Sequence, residues 1–475
     1  MVRSNLMAKG WTNSGLDLLL DLRGGAGRRV DVEAALRAAV RAGSVLPGSR
    51  LPSTRTLARD LGVARGTIVE AYAQLVAEGY LESRVGSGTM VVWSSVANHP
   101  SEPLPKPDVG TPITFDWTPG SPDVSSFPRR EWLHSLRRVL SVMPSSALDY
   151  GDARGCEELR VSLASYLSRA RGVRADPERV VICSGYCQAL GLIGQTLRAR
   201  GSAGVVVENP GLLWHRSVLH HAGLETRAID VDQFGLPVSQ LTAKDSAVLV
   251  TPSHQYPTGV VLAPSRRSSL IDWANAADAV VIEDDYDGEF RYDREPVRAL
   301  QELDPNRVVY VGTTSKTLAP GLRLAWIVAP TRLLKGIIAA KALADQQGST
   351  IDQLVLSDLI LAGAFDKHVR RMRAHYRARR DQLVEGVKAA IPGMQVEGIA
   401  GGLHVVLRLP SSGPSEADIV AAGSERGLAL TGMAFFSGDM SSRLDALVVG
   451  YARPPRHTYA RALGELLRLL SDLLG

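Results

Sequence analysis

The sequence predicts an α/β chain in two parts: a small N-terminal unit of helices and a hairpin, and a large domain built on a parallel-rich sheet. Three observations lead there. Six short runs are apolar at every residue: Val180–Cys183, Val205–Val207, Val248–Val250, Val280–Ile282, Val308–Val311 and Trp326–Val328. Such runs read as strands buried on both faces, and the segments between them are long enough for crossover helices. Residues 31–92 show helical spacing instead, and a proline-bearing stretch without periodicity separates the two parts.

The 475 residues suffice for two or three domains, with 45% hydrophobic residues and a mean hydropathy of +0.00. No apolar run approaches the ~20 residues of a membrane span. Leu18–Leu20 is flanked by Asp17 and Asp21, so no signal peptide is expected. Cys156, Cys183 and Cys187 make no disulfide framework and read as reduced thiols of a cytoplasmic protein. A formal charge of +5 permits a polyanionic partner without requiring one.

In the N-terminal part, Val32, Leu36, Ala39 and Val40 predict an amphipathic helix from Asp31 to Ala42. Ser53 is the expected N-cap of a helix over Thr54–Leu61, with Gly62 as its stop. Ile68, Ala71, Tyr72, Leu75 and Val76 share one face of a third helix, Ala64–Glu78. Residues 80–92 then form a short hairpin around Gly86-Ser-Gly88. Together these make a winged helix-turn-helix. Leu51-Pro-Ser-Thr-Arg55, Leu57-Ala58, Leu61 to Arg65, Thr67, Glu78-Gly79 and Gly86 to Thr89 resemble the DNA-binding domain of GntR-type regulators. The resemblance implies that Arg55 and Arg65 reach bases or phosphates, that Ser53 and Thr67 hold the backbone, and that Gly86 enters the minor groove. Arg65 and Gly66 open the third helix, the end that enters a major groove.

The second part is organised around Val308 to Trp326. An apolar run breaks at Gly312 into Thr313-Thr-Ser315, then come Lys316, Pro320-Gly321, Arg323 and a second apolar run. A buried strand so delivers an amine to a polar pocket, where desolvation favours its neutral, nucleophilic form. The alternative is a surface lysine in a Ser/Thr-rich loop. Cys183 to Gln188 follows a strand and opens a helix, an arrangement suited to phosphate. Glu283-Asp-Asp285 ends another strand, where carboxylates are costly unless one faces a cation. Metal binding is disfavoured, since no His or Cys stands near with ligand spacing.

Asp116 to Asp123, Tyr150-Gly-Asp152, Gly155, Leu159-Arg160, the Ser184 loop, Pro252 to Gly259, Asp284 to Tyr286 and Ser315 to Arg323 resemble a fold-type I aminotransferase domain that binds pyridoxal 5'-phosphate, with a small C-terminal α+β subdomain. Joined to a GntR-like domain, this resembles the MocR-type transcription regulators. The resemblance implies Lys316 as the Schiff-base lysine, Asp284 as partner of the pyridine nitrogen and Tyr286 beside the ring hydroxyl. It implies Ser184, Gly185, Ser315 and Arg323 at the phosphate, Tyr256 at the cofactor, and Tyr150 contributed by a neighbouring subunit. It also implies double-stranded DNA, a small-molecule effector and a second copy as partners, in a domain-swapped, head-to-tail homodimer without a membrane. The expected divisions are residues 1–92, a linker over 93–112, and 113–475.

Departures from the aminotransferase pattern count as well. Leu212 stands where a ring-stacking tyrosine is expected, with Trp214 as the substitute at hand. Tyr256 replaces the asparagine before Pro-Thr-Gly. The arginine that grips a substrate carboxylate falls at Leu447, and Arg453 lies six residues on. The basic segment His368–Arg380 reads as a solvated helix. His254 and His404 read as structural. Two function classes fit: a regulator that uses the second domain as a sensor, and a working aminotransferase with an attached DNA-binding domain.

Overall fold

The computed structural model describes residues 28–84, 88–93, 112–292, 297–398, 400–437 and 445–475. The chain divides into two compact units, Met1–Asp108 and Val109–Gly475.

In the first unit, α1 (Arg28–Arg41), α2 (Thr54–Leu61) and α3 (Arg65–Ala77) precede β1 (Leu81–Arg84) and β2 (Gly88–Val91), which pair antiparallel. The Ser53 side chain accepts the Thr56 N–H at 3.2 Å to start α2, and left-handed Gly62 ends it. Val32, Leu36, Leu57, Ile68, Leu75 and Val91 bring all three helices and the hairpin into one core. The hairpin turn, Gly86 included, and most of the expected linker lie outside the described residues.

The second unit begins with β3 (Phe115–Asp116), α4 (Arg129–Val142) and α5 (Glu157–Arg171). Then follow β4 (Val180–Cys183), α6 (Tyr186–Ala199), β5 (Gly204–Asn209), α7 (Leu213–His221), β6 (Glu225–Asp230), β7 (Ala247–Val250), α8 (Pro264–Ala276), β8 (Val280–Asp285), β9 (Val308–Thr313) and β10 (Ala325–Val328). Strands β4 to β10 form one sheet in the order β4-β10-β9-β8-β7-β5-β6. All neighbours are parallel except β10, which runs antiparallel to both β4 and β9. The expectation of a parallel Trp326–Val328 is therefore corrected. A strand buried on both faces has the same composition in either direction, and β10 follows β9 through a short turn rather than a crossover helix. The edge strand β6 was missed because most of its residues are exposed.

Alternation along the strands builds two core layers. Val181, Cys183, Ile282, Val309 and Val311 pack with α6 and with α9 (Thr331–Asp345). Val180, Ile182, Tyr310, Trp326 and Val328 pack with α5 and with α10 (Thr350–Leu361) on the other side.

The long α11 (Ala364–Ala390) leads to β11 (Gln395–Glu397), β12 (Val405–Arg408), α12 (Glu416–Glu425), β13 (Leu428–Ala429), β14 (Ala446–Val449) and α13 (Tyr459–Leu474). Strands β11, β12 and β14 make an antiparallel sheet. Its core takes in Phe115 and Trp117, so the start of the unit is built into its end. Helix α11 is not a uniformly solvated basic helix. Buried Arg379 binds Asp123 at 3.0 Å and the Ala452 carbonyl at 2.8 Å, and its guanidinium lies 4.6 Å from the Tyr459 ring centre.

Candidate functional site

The carboxyl ends of β4, β5, β7, β8 and β9 open on one cavity of about 460 Å³. The three carboxylates that end β8 separate by strand alternation. Glu283 accepts the backbone N–H groups of Leu300 and Gln301 at 2.7 and 2.9 Å. Asp285 takes Arg171 at 2.7 and 2.9 Å and the Tyr310 hydroxyl at 2.7 Å. Asp284 points the opposite way, into the cavity, and its buried Oδ1 has no hydrogen-bond partner among the described residues. Burial pushes the Asp284 carboxyl up to about 8, against the opposing pull of Tyr186 and Lys316. Tyr186, the first residue of α6, lies beside it with its own hydroxyl also unpartnered.

Lys316 enters the cavity from the end of β9, and its Nζ donates to the Gly120 carbonyl. Burial lowers the pKa of the amine, while Asp284 and Asp287 oppose the change. Ser315 lines the same wall, its hydroxyl 2.8 Å from that of Thr313.

Arg323 and the first turn of α6 form the basic end. Arg323 donates to the Ser184 carbonyl at 2.8 Å, leaving its other N–H groups for an anion. Gly185 has φ +92°, and a Cβ there would lie 2.5 Å from the Arg323 guanidinium, so glycine is what lets the cation approach. Ser184 faces elsewhere: its N–H donates to Gln188 at 2.6 Å and its hydroxyl to Asp345 at 3.2 Å. Asp345 is in turn paired with the fully buried Lys341, a network that the sequence reading passed over.

Tyr256 and Tyr286 both line the cavity, edge to face with ring centres 5.5 Å apart. Tyr150 is 83% exposed and stands outside it. Leu212 and Trp214 line it as well, and the Trp214 indole donates to Cys187 Sγ at 3.1 Å. His215, unmarked in the sequence, packs on Tyr186 with ring centres 4.8 Å apart. Burial and the nearby Lys316 push it down to about 4, so it is a neutral ring.

The placing of a carboxylate-gripping position at Leu447 is corrected. Leu447 is fully buried in the core of the C-terminal sheet, whereas Val448 packs toward Tyr256. A one-residue slip in a strand exchanges its faces, and neither residue here is charged. Arg453 does line the cavity, held by Asp116 and by Thr118, each at 2.7 Å.

In the N-terminal unit, Arg55 on α2 and Arg65 and Gly66 at the start of α3 are exposed, with Thr67 half-buried behind them. Neither arginine has an ion pair among the described residues. Tyr72 fixes the approach to α2 by donating to the Pro52 carbonyl at 2.9 Å.

Residues 28–91 match the gntR family of bacterial regulatory proteins, and residues 115–437 match the aminotransferase class I and II family. The HTH-type pyridoxine biosynthesis transcriptional regulator PdxR of Corynebacterium glutamicum is 33% identical over 434 residues, 91% of this chain and 93% of the relative. The chain belongs to the MocR-type regulators. The probable rhizopine catabolism regulatory protein MocR of Rhizobium meliloti is 34% identical over 74% of this chain and 75% of its own length. Among solved structures, a kynurenine aminotransferase of Pyrococcus horikoshii, in complex with PMP, superposes with a TM-score of 0.67. It is 26% identical and covers 76% of this chain and 91% of its own. For a MocR-type regulator the mostly parallel sheet is thus that of a fold-type I aminotransferase.

Proposed function

We propose that the chain binds duplex DNA through residues 1–92 and holds pyridoxal 5'-phosphate in the cavity of residues 113–475, joined by a connector over 93–112. The cofactor, or an amine or amino acid that meets it there, then biases DNA binding. The observation that carries the cofactor reading is the orphaned Asp284 oxygen in the same cavity as Lys316 and Arg323. A protonated ring nitrogen answers the first, an aldehyde the second and a phosphate the third, so the donor set fits the group. When bound, pyridoxal phosphate supplies a carbonyl for amines and an electron-withdrawing ring.

The chain's own residues do the rest. Lys316 anchors the carbonyl carbon through its desolvated amine. Asp284 keeps a proton on the ring nitrogen by its charge. Arg323, Ser315 and the first-turn amides of α6 hold the phosphate, with Gly185 leaving the space and Ser184 bracing the loop from behind. Tyr286 and Tyr256 close one wall, and Tyr150 is assigned to a partner's site in a head-to-tail homodimer. At the DNA, Ser53, Arg55, Arg65, Gly66, Thr67 and the Gly86 turn form the contact surface. Such a protein works in the cytoplasm, and no described helix is long and apolar enough to cross a membrane.

The test is spectroscopic. Titration of the cofactor-free protein with pyridoxal phosphate should give a saturable visible band that borohydride fixes covalently. Lys316→Ala should lose the fixed adduct; trapping at the wild-type yield in that variant would refute the assignment. Arg453 favours a second reading, a working aminotransferase, because it offers a carboxylate a cation inside the cavity. A single turnover with a panel of amino acids decides it: rapid conversion to the pyridoxamine form supports the enzyme, and its absence supports the sensor.

A further inference from the structure

Beside the cavity, His254 from the loop after β7 sits between two groups that follow β8. Its Nδ1 lies 2.9 Å from the Tyr286 hydroxyl and 2.9 Å from Asp287 Oδ2. The histidine and aspartate side chains are only 5% and 2% exposed. Gly402 covers the pair at φ +79°, and a Cβ there would stand 2.2 Å from His254 Cε1. The line of three is therefore enclosed on one side and opens to the cavity only through Tyr286.

One ring nitrogen cannot donate to Asp287 and accept from Tyr286 at once. If Nδ1 accepted from Tyr286, the ring proton would sit on Nε2, which is buried with no hydrogen-bond partner among the described residues. Asp287 would then be a buried carboxylate facing a lone pair. If Nδ1–H donates to Asp287, the carboxylate is satisfied and only an acceptor, Nε2, is left bare. That acceptor lies beside Gly259, where an added Cβ would stand 3.0 Å from it. A bare buried donor and an unpaired charge cost more than a bare acceptor, so the second arrangement wins.

We propose that Asp287, acting through His254, turns the Tyr286 hydroxyl hydrogen into the cavity, making Tyr286 a hydrogen-bond donor to an anionic ring oxygen of the bound ligand. His254 and Asp287 are positioning residues. The inference rests on the cofactor reading above, in which Tyr286 stands beside the ring hydroxyl. The other titratable and charged groups around this line are Asp284, Lys316, Tyr256 and His404 on the cavity side, and Glu289, Tyr292, Tyr451 and Arg291 behind it. His404 donates its Nε2–H to the Pro257 carbonyl at 2.8 Å, and burial pushes it down to about 3, so it stays neutral. Burial first, and then Asp287, raise Tyr286 far above the usual phenol range, so it keeps the proton that it donates.

The readout is the pH midpoint at which the visible band of the bound cofactor titrates. A hydrogen donated by Tyr286 competes for the ring oxygen with the proton on the Lys316 nitrogen. Without it, that nitrogen keeps its proton to higher pH, so Tyr286→Phe should raise the midpoint by about one pH unit. Asp287→Leu removes the acceptor for Nδ1–H, lets Nδ1 take the phenol hydrogen, and should also raise the midpoint. Asp287→Asn keeps an oxygen acceptor while losing the charge, so its midpoint should stay at or below that of the wild type. Asp287→Leu combined with Tyr286→Phe should rise no further than Tyr286→Phe alone.

A purely electrostatic role predicts the opposite sign, because losing a negative charge near Lys316 favours its deprotonated form. Midpoints that fall together in Asp287→Leu and Asp287→Asn overturn the proposal. An unchanged midpoint in folded, cofactor-bearing Asp287→Leu does so too. Should that variant not fold, Asp287→Ala replaces it, with the same rise expected and no rise contradicting. A wild-type protein with no visible band would instead overturn the cofactor reading, and this inference with it.

Discussion

At the scale of single residues, two buried oxygens of the cavity, Asp284 Oδ1 and the Tyr186 hydroxyl, have no hydrogen-bond partner among the described residues. Burial pushes the Asp284 carboxyl up to about 8, far above the ~3.9 of an unfolded chain. An acid whose folded pKa is raised stabilises the fold fully below its unfolded pKa. That contribution is lost as pH rises through the folded value. Glu208 and Glu283, each pushed by burial to about 7, act in the same direction. Removing the Asp284 contribution, Asp284→Asn should make the thermal stability of the cofactor-free protein fall less, relative to the wild type, as pH rises from about 4 to about 8. Melting curves across this range check it, and an equal slope in the variant contradicts it. Arg323→Ala removes a charge-assisted phosphate contact of about 2 kcal/mol, so the cofactor dissociation constant should rise some thirtyfold. Lys316, Asp284 and Arg323 were legible in the sequence because each follows or ends an apolar run. Ser184 was legible only as a type, since its hydroxyl is claimed by Asp345, more than 150 positions away in sequence. His215 and Arg453 carried no local signal; only the fold brings them to the cavity.

At the scale of elements, local chemistry marked the ends well. The Ser53 cap and the Gly62 stop fixed α2 over the same residues in sequence and structure. The direction of β10 was not legible, because burial on both faces erases the alternation that separates sheet types. Helix α11 misled in another way: its arginines pair with Asp123 and with backbone carbonyls from distant segments, which no window of sequence contains. Arg379→Ala takes the guanidinium from buried Asp123, leaving it the neutral donors of Ser125 and Ser126, and should cost the second unit about 3 kcal/mol, seen as a lower denaturant midpoint. A loss under about 0.5 kcal/mol would show that the clamp is not structural. On α3, Arg65→Ala should weaken binding to the preferred duplex by about 1–3 kcal/mol and relax preference at one base position. A uniform loss on all sequences, with a shallower salt dependence, would make Arg65 a phosphate contact instead.

At the scale of the whole molecule, one chain joins a GntR-type unit to an aminotransferase-type unit. A ligand in the second unit changes DNA affinity only through different affinities for two states of the protein, and the coupling is reciprocal. The most direct measurement is the affinity for a specific duplex of the cofactor-free and pyridoxal phosphate-loaded protein at fixed salt, repeated with Lys316→Ala. A change of about fivefold or more is expected on loading, absent in Lys316→Ala. Equal DNA affinities with and without a demonstrably bound cofactor and amino-acid ligands, together with rapid turnover, would contradict the sensor and leave an enzyme.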